Sequence, residues 1–69
     1  MAEVVDRWKE DDGVNTYHCV LYRFATRPSP DGYHYAAENN FWAYQYLNVN
    51  DRVKMRYVRN RPDICRLKL

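Results

Sequence analysis

Residues 47–69 read LNVNDRVKMRYVRNRPDICRLKL, and the pattern of this stretch decides the fold. Apolar and basic residues alternate over residues 52–57, which indicates a strand with one buried face and one solvent face. Residues 50–51, Asn-Asp, and residues 60–63, Asn-Arg-Pro-Asp, are typical of turns. Proline fixes its own φ and offers no backbone donor to a sheet. We therefore predict that the C-terminal third is a β-hairpin.

The length and composition of the chain set the size of this fold. A chain of 69 residues has room for one small core and buries only about 60% of its unfolded surface. Hydrophobic residues make up 46% and charged residues 29%, a balance typical of globular proteins. Aromatic residues make up 16%, and they favour pleated sheets over helices. These values predict a single all-β domain over residues 1–69.

The chain before the hairpin is predicted to supply three strands. In the first strand Val4, Asp6 and Trp8 alternate with Val5 and Arg7, so the two sets should lie on opposite faces. The second strand is apolar on both faces and should be central in the sheet. The predicted strands cover residues 2–10, 16–26 and 33–38, and the turns between them cover residues 10–13 and 27–32.

A short helix is predicted after the third strand. Asn40 precedes an apolar run in which Phe41, Tyr44 and Leu47 recur at helical spacing, a pattern typical of an N-capped helix over residues 41–47. Three strands, a helix and two strands follow the order of the OB-fold, a five-stranded partly open barrel. We predict a small five-stranded antiparallel barrel or sandwich, all-β with this one short helix between strands three and four. Its predicted core is Val20, Tyr22, Phe24, Val53, Met55, Tyr57 and Leu67.

The net charge of +2 is unevenly distributed. Residues 1–38 carry four Lys or Arg and seven Asp or Glu, whereas residues 39–69 carry seven and two, so the predicted hairpin is basic. An amphipathic strand already requires polar residues on its solvent face. Simple solvation of the basic side chains is therefore favoured, and a partner for the basic face is the alternative.

The two cysteines give no metal or redox motif. Cys19 and Cys65 lie 46 positions apart, without the C-x-x-C spacing of zinc sites and thiol oxidoreductases. Two buried free thiols are favoured, and a single disulfide in an oxidising compartment is left open.

No catalytic pair is recognisable in the sequence. His18 and His34 lie within predicted strands, and Ser29 lies in a proline-containing loop, so no base is predicted beside a nucleophile. Gly13 and Gly32 stand alone in turns, which argues against a phosphate-binding glycine loop. We predict no enzymatic activity, no metal and no cofactor.

Two motifs carry a resemblance to a known family. Val20-Leu21-Tyr22-Arg23-Phe24 is followed over residues 41–62 by the spacing F-x-x-Y-x-x-L-x-V-x-D-x-V-x-M-x-Y-x-x-x-x-P. With these motifs, residues 3–69 resemble the bacterial domain of unknown function 3592 family. The sequence departs from the family pattern at Asn50, where glycine is usual, and at Val58-Arg59, where a first proline often stands. Asn tolerates the left-handed conformation that glycine would supply.

The resemblance implies a setting for the chain. Members look like short β-rich modules that lie beside or between transmembrane helices. By this resemblance, residues 1–69 would be an excised soluble segment of a longer bacterial membrane protein, on the extracytoplasmic side. The module would serve interaction or structure, with a protein or a membrane surface as its partner. The chain itself contains no run approaching the about 20 apolar residues of a membrane span.

The alternative function is single-stranded nucleic acid binding by an OB-type domain. Such binding combines aromatic side chains that stack on bases with basic side chains that follow the backbone. The opposing interpretation is that the aromatic residues build the small core, so nucleic acid is less favoured than a protein or membrane partner. The candidate binding face consists of Tyr33, Tyr35, Trp42, Arg52, Lys54 and Arg56, with Tyr17 as a further aromatic residue.

Overall fold

The computed structural model describes residues 1–25 and 32–68, and within them the chain is mostly β with one short helix. Four antiparallel strands form a curled half-barrel sheet in the order β3-β2-β1-β4, and β5 and β6 form a separate two-stranded sheet. The loop predicted over residues 27–32 lies, except for its last residue, outside the described residues. The elements are β1 (Ala2–Asp11), β2 (Thr16–Phe24), β3 (His34–Asn39), α1 (Phe41–Tyr46), β4 (Arg52–Val53), β5 (Met55–Val58) and β6 (Arg61–Leu67).

The second strand is central, as its apolar sequence predicts. β2 pairs with β1 on one side and with β3 on the other. Val20, Tyr22 and Phe24 point into the core, while Leu21 and Arg23 between them are half-buried on the opposite face. Apolar residues on both faces are what a strand with neighbours on both edges requires.

β1 carries a bulge that the sequence analysis did not predict. Val4 pairs with Tyr22 but Asp6 pairs with Leu21, so the register shifts between them. The backbone of Val4 is engaged by the turn before β4, because its N–H donates to Asp51 O at 2.9 Å and its carbonyl accepts from Asn50 N at 2.8 Å. One extra residue reverses the alternation. The prediction that Val4, Asp6 and Trp8 share a face is therefore wrong, since Val4 is buried and Asp6 is exposed.

The core contains most of the predicted residues. Val20, Tyr22, Phe24, Val53 and Leu67 are buried, and Met55 is half-buried against them. Tyr57 was predicted to be buried but is 37% exposed, because it lies in the two-stranded sheet, where only one side of its ring packs, on Phe24 at 5.6 Å. The core also includes three residues that the prediction missed: Ala2, Val4 and Ala43.

The turn and cap residues behave as their chemistry predicts. The Asn40 side chain accepts a hydrogen bond from Ala43 N at 3.0 Å and caps α1, which ends at Tyr46, one residue before the predicted end. Asn50 has a φ of +79°. This is the left-handed conformation expected at a position where the family that the chain resembles usually has glycine. In the turn before β2, Asp12 Oδ1 accepts from Val14 N and Asn15 N at 2.8 and 2.7 Å. These bonds hold the pKa of Asp12 below its usual value.

The C-terminal hairpin forms, but with two local differences. The predicted strand over residues 52–58 breaks at Lys54 into β4, which pairs with β1, and β5, which pairs with β6. The turn lies at residues 59–60, so Pro62 falls inside β6 rather than in the turn. The register jumps from the pair Tyr57–Cys65 to the pair Val58–Arg61. This jump leaves Pro62 in a bulge, where a residue without an N–H is tolerated.

Candidate functional site

The six residues of the predicted binding face are all exposed, but they do not form one face. Trp42 lies on α1, and Tyr33 and Tyr35 lie at the start of β3. Of the three basic residues, Arg52 lies on β4, Arg56 lies on β5, and Lys54 lies between these two strands. The candidate residues therefore lie on three different surfaces of the molecule.

The first surface is the aromatic helix face, which consists of Phe41, Trp42 and Tyr46. Trp42 is 61% and Tyr46 is 69% exposed, and their rings stack nearly parallel, 5.8 Å apart with an interplanar angle of 5°. Phe41, also exposed, meets the Trp42 ring edge-on at 5.6 Å. A contiguous exposed aromatic cluster on a small domain is typical of a contact surface.

α1 is firmly attached to the sheet behind this face. The bulge in β1 turns Arg7 towards the helix, where its guanidinium lies 4.2 Å from the centre of the Tyr44 ring and donates to Tyr44 O at 2.7 Å. His18 of β2 packs edge-on against Phe41 and Tyr44, at 5.0 and 5.2 Å. Ala43 is the buried residue of the helix. The aromatic side chains are thus presented on a fixed support, which lowers the entropy lost on binding.

The second surface is the strand face, which consists of Arg23, Tyr33 and Tyr35 on the outer side of the sheet. The Arg23 guanidinium lies 4.5 Å from the centre of the Tyr33 ring, and Arg23 pairs with Tyr35 across the β2–β3 ladder. Hydrogen bonds to Tyr35 and then to Glu3 raise the pKa of Arg23. Tyr33 and Arg52 line the same open pocket beside Arg23, so three of the six predicted residues are brought together here: Tyr33, Tyr35 and Arg52.

Acidic side chains border the strand face on its β1 side. Glu3 pairs with Arg23 across the ladder and forms a salt bridge with it at 2.6 Å. The exposed Asp6 lies opposite Leu21, two pairs further along the ladder. Tyr17 lies further along β2, where its hydroxyl donates to Asp12 Oδ2 at 3.1 Å, so it belongs to the β1–β2 turn and not to this face. The carboxylates partly neutralise the strand face.

The third surface is the basic hairpin, residues 52–68, which contains Arg52, Lys54 and Arg56 of the prediction. Lys54 and Arg56 are exposed, whereas Met55 and Tyr57, which alternate with them, pack towards the core. Lys54 and Arg56 therefore lie on the outer face of the hairpin, as the alternation predicts, whereas Arg52 belongs to β4 and pairs with Glu3 of β1. The aromatic helix face, by contrast, is carried by α1, which packs on Arg7 of β1 and His18 of β2.

A polar network ties the hairpin to the half-barrel. Glu38 Oε1, on β3, accepts from Leu67 N at 2.6 Å and from the Tyr22 hydroxyl at 3.1 Å. Burial first, and then the contacts with Cys65 and Glu38, raise the pKa of Tyr22 far above its usual value, so its hydroxyl stays protonated and available as a donor. Neither sequence periodicity nor turn chemistry predicts this bridge.

Within residues 1–25 and 32–68, the candidate nucleophiles and bases do not assemble into a site. Cys19 and Cys65 are free and half-buried rather than fully buried, and burial raises the pKa of Cys19, which disfavours its thiolate. His18 packs on α1, and the His34 ring stacks on Phe24 at 5.7 Å. Ser29 lies outside the described residues. Among the residues that the structure describes, no cluster of His, Cys, Asp or Glu could hold a metal ion.

Phe41 and Tyr46 are the contact residues that the sequence analysis missed. The spacing of Phe41, Tyr44 and Leu47 predicts the helix but not which of its residues face the sheet. In the structure Ala43 is the buried residue and Phe41 is exposed. The i, i+4 spacing of Trp42 and Tyr46 is the signal that could have identified them, because such residues meet on one helix face.

Comparisons with known proteins do not add a family. No family model, no curated protein and no solved structure matches this chain. The resemblance to the domain of unknown function 3592 family therefore stays a prediction. Within residues 1–25 and 32–68, no helix has the length and apolar character needed to cross a membrane.

Proposed function

We propose that the chain is a non-catalytic interaction module of a bacterial membrane protein, on the extracytoplasmic side. The aromatic helix face would be its protein-binding surface. One observation carries the proposal: Trp42 and Tyr46 are stacked on each other and largely exposed on a helix that is anchored to the core. The membrane setting rests on the sequence resemblance alone.

The chemistry of α1 points to the kind of partner. Its sequence, Phe-Trp-Ala-Tyr-Gln-Tyr, contains no charged residue, so recognition would depend on apolar contact and on hydrogen bonds from the Trp indole and the Tyr hydroxyls. Aromatic side chains of this kind dominate protein interfaces energetically. The partner is therefore an uncharged apolar protein surface rather than a polyanion.

The test uses a photo-cross-linking amino acid at position 42 of the intact protein in bacterial membranes. We expect it to form an adduct with one protein, whereas the same group at the exposed Asp6, on the far side of the sheet, forms none. With that partner purified, Trp42→Ala should weaken the affinity about 30-fold, the effect of a typical binding hot spot. Equal adducts at both positions, or an affinity unchanged by Trp42→Ala, would refute the proposal.

The second candidate function is single-stranded nucleic acid binding on the strand face. We propose that the strands follow the OB order, since β4 runs directly into β5 and Leu67 N of β6 reaches Glu38 of β3. The outer face of strands two and three is where OB-folds bind oligonucleotides, and here it carries Arg23 and Tyr35. Glu3 and Asp6 beside them disfavour a polyanion, so this candidate ranks second.

An oligonucleotide titration separates the two candidates. If the first candidate is correct, a fluorescent single-stranded oligonucleotide should show no saturable binding at micromolar concentrations of the domain. If the second is correct, binding should be salt-dependent, and Tyr35→Ala should weaken it about tenfold through the loss of one stacked base. Tyr46→Ala, which removes an exposed ring from α1, is the matched control and should leave such binding unchanged.

A further inference from the structure

The outer face of the β5–β6 hairpin places like charges directly opposite each other. Arg56 pairs with Arg66 across the ladder. Two positions further along, beyond the pair Met55–Leu67, Lys68 N donates to Lys54 O at 2.8 Å, so these two lysines face each other as well. Residues of equal parity share one face of a strand. We call Lys54, Arg56, Arg66 and Lys68 the tetrabasic face.

The tetrabasic face is not neutralised from within the described chain. The ion pair of the hairpin in the described residues joins Arg61 to Asp63, at 3.3 Å, and neither residue belongs to this face. All four side chains are exposed. Like charges directly opposite in a sheet destabilise it. Contact with water explains why these positions are polar. Neutral polar residues, or residues of opposite charge, would meet that requirement without the repulsion between like charges across the ladder.

Aliphatic side chains extend the same surface. Val58 is 46% and Ile64 is 51% exposed, and both line a shallow pocket together with Arg56 and Arg66. Exposed aliphatic groups next to arginine and lysine are the chemistry of a segment lying in the headgroup region of a bilayer. Nucleic acid would instead favour several aromatic rings on which successive bases stack, and the hairpin carries one, Tyr57, with one side of its ring on Phe24.

We propose that the tetrabasic face, with Val58 and Ile64, docks on a bilayer surface that contains anionic phospholipids. The proposal rests on the proposed function in one respect, namely that a module of a membrane protein works next to such a surface. The cations approach the lipid phosphates, which removes the repulsion across the ladder. The two aliphatic side chains enter the boundary between headgroups and acyl chains.

The test is sedimentation of the purified domain with vesicles. We expect binding to vesicles of equal parts phosphatidylglycerol and phosphatidylcholine, and none to pure phosphatidylcholine. Arg66→Gln should weaken binding about fivefold, and the double variant Arg56→Gln, Arg66→Gln about 25-fold, since each cation near an anionic surface contributes one such step. Lys9→Gln, which makes the same charge change on β1, is the matched control and should leave binding within about twofold.

Melting temperatures guard against misfolding as the cause. Because Arg66→Gln removes a like-charge contact, it should melt at or above the temperature of the parent. Equal binding to both vesicle types, or equal losses for Lys9→Gln and Arg66→Gln, would overturn the proposal. The proposal would also be overturned if the domain did not bind vesicles but bound an oligonucleotide saturably, and if Arg66→Gln abolished that oligonucleotide binding. The cross-linking test at position 42 does not involve the hairpin. The proposed protein interface and the proposed lipid-binding face can therefore be refuted independently of each other.

Discussion

Replacing Phe24 by alanine is expected to lower the free energy of unfolding by about 3–5 kcal/mol, the usual range for a buried phenylalanine. Phe24 is 2% exposed, and its ring stacks on three others: Tyr22 at 6.1 Å, His34 at 5.7 Å and Tyr57 at 5.6 Å. It therefore joins β2, β3 and the hairpin. A domain of this size has little more stability than that to lose, so the variant should be largely unfolded at room temperature.

Urea unfolding followed by far-UV circular dichroism measures this effect. Phe24→Leu, expected to lose about 1–1.5 kcal/mol, keeps the series measurable if the alanine variant does not fold. Tyr35→Ala is the matched control, because it removes an exposed ring from the neighbouring strand and should cost about 0.5 kcal/mol or less. If Phe24→Ala unfolds at the same urea concentration as the parent, the core is not centred on this ring.

The features predicted correctly from the sequence are those that local chemistry determines. The alternation over residues 52–56 identified the buried and exposed sides of the chain there, because a strand with one covered face imposes a period of two. Asn40 could be assigned to a cap because its side chain favours that role without help from the rest of the protein. Asn50 could be placed in a turn by its residue type, and its positive φ is what the family resemblance implies for that position.

The features missed depend on contacts between distant parts of the chain. The bulge in β1 involves the turn at Asn50 and Asp51, which binds both backbone groups of Val4. No pattern within β1 records this contact, so the alternation was extended one residue too far. The exposure of Phe41 has the same origin, since it depends on how α1 is turned against Arg7 and His18. The six candidate residues are all exposed, but their distribution over separate surfaces depends on tertiary structure, which no local pattern records.

Glu38 provides the second large effect, because it joins the two sheets. Its carboxylate accepts from Leu67 N at the end of β6 and from the Tyr22 hydroxyl, and its other oxygen accepts from Asn40 Nδ2 at 3.3 Å. Hydrogen bonds to a charged group contribute about 1.5–3 kcal/mol each when their loss leaves a donor unsatisfied. Since Glu38 is half-buried, water can replace some of these hydrogen bonds when the carboxylate is removed. Glu38→Ala should therefore lower the free energy of unfolding by about 2–3 kcal/mol.

A double-mutant cycle assigns this loss to individual bonds. Tyr22→Phe removes one donor and should cost about 1 kcal/mol, and the double variant should cost about 1 kcal/mol less than the sum because the two side chains share a bond. Glu38→Gln keeps an acceptor without the charge and should fall between the parent and Glu38→Ala. Strict additivity would mean that the Tyr22–Glu38 bond contributes nothing to folding.

Amide hydrogen exchange then shows whether the bridge holds the hairpin against the half-barrel. In Glu38→Ala the Leu67 N–H loses its acceptor, whereas Lys68 N keeps its bond to Lys54 O within the hairpin. If the sheets can separate locally, Leu67 should exchange faster than the drop in global stability requires, while Lys68 follows the global value. Equal acceleration at both amides would mean that the two sheets unfold only together. In that case the hairpin could not move relative to α1. The tetrabasic face and the aromatic helix face would then act as one rigid body.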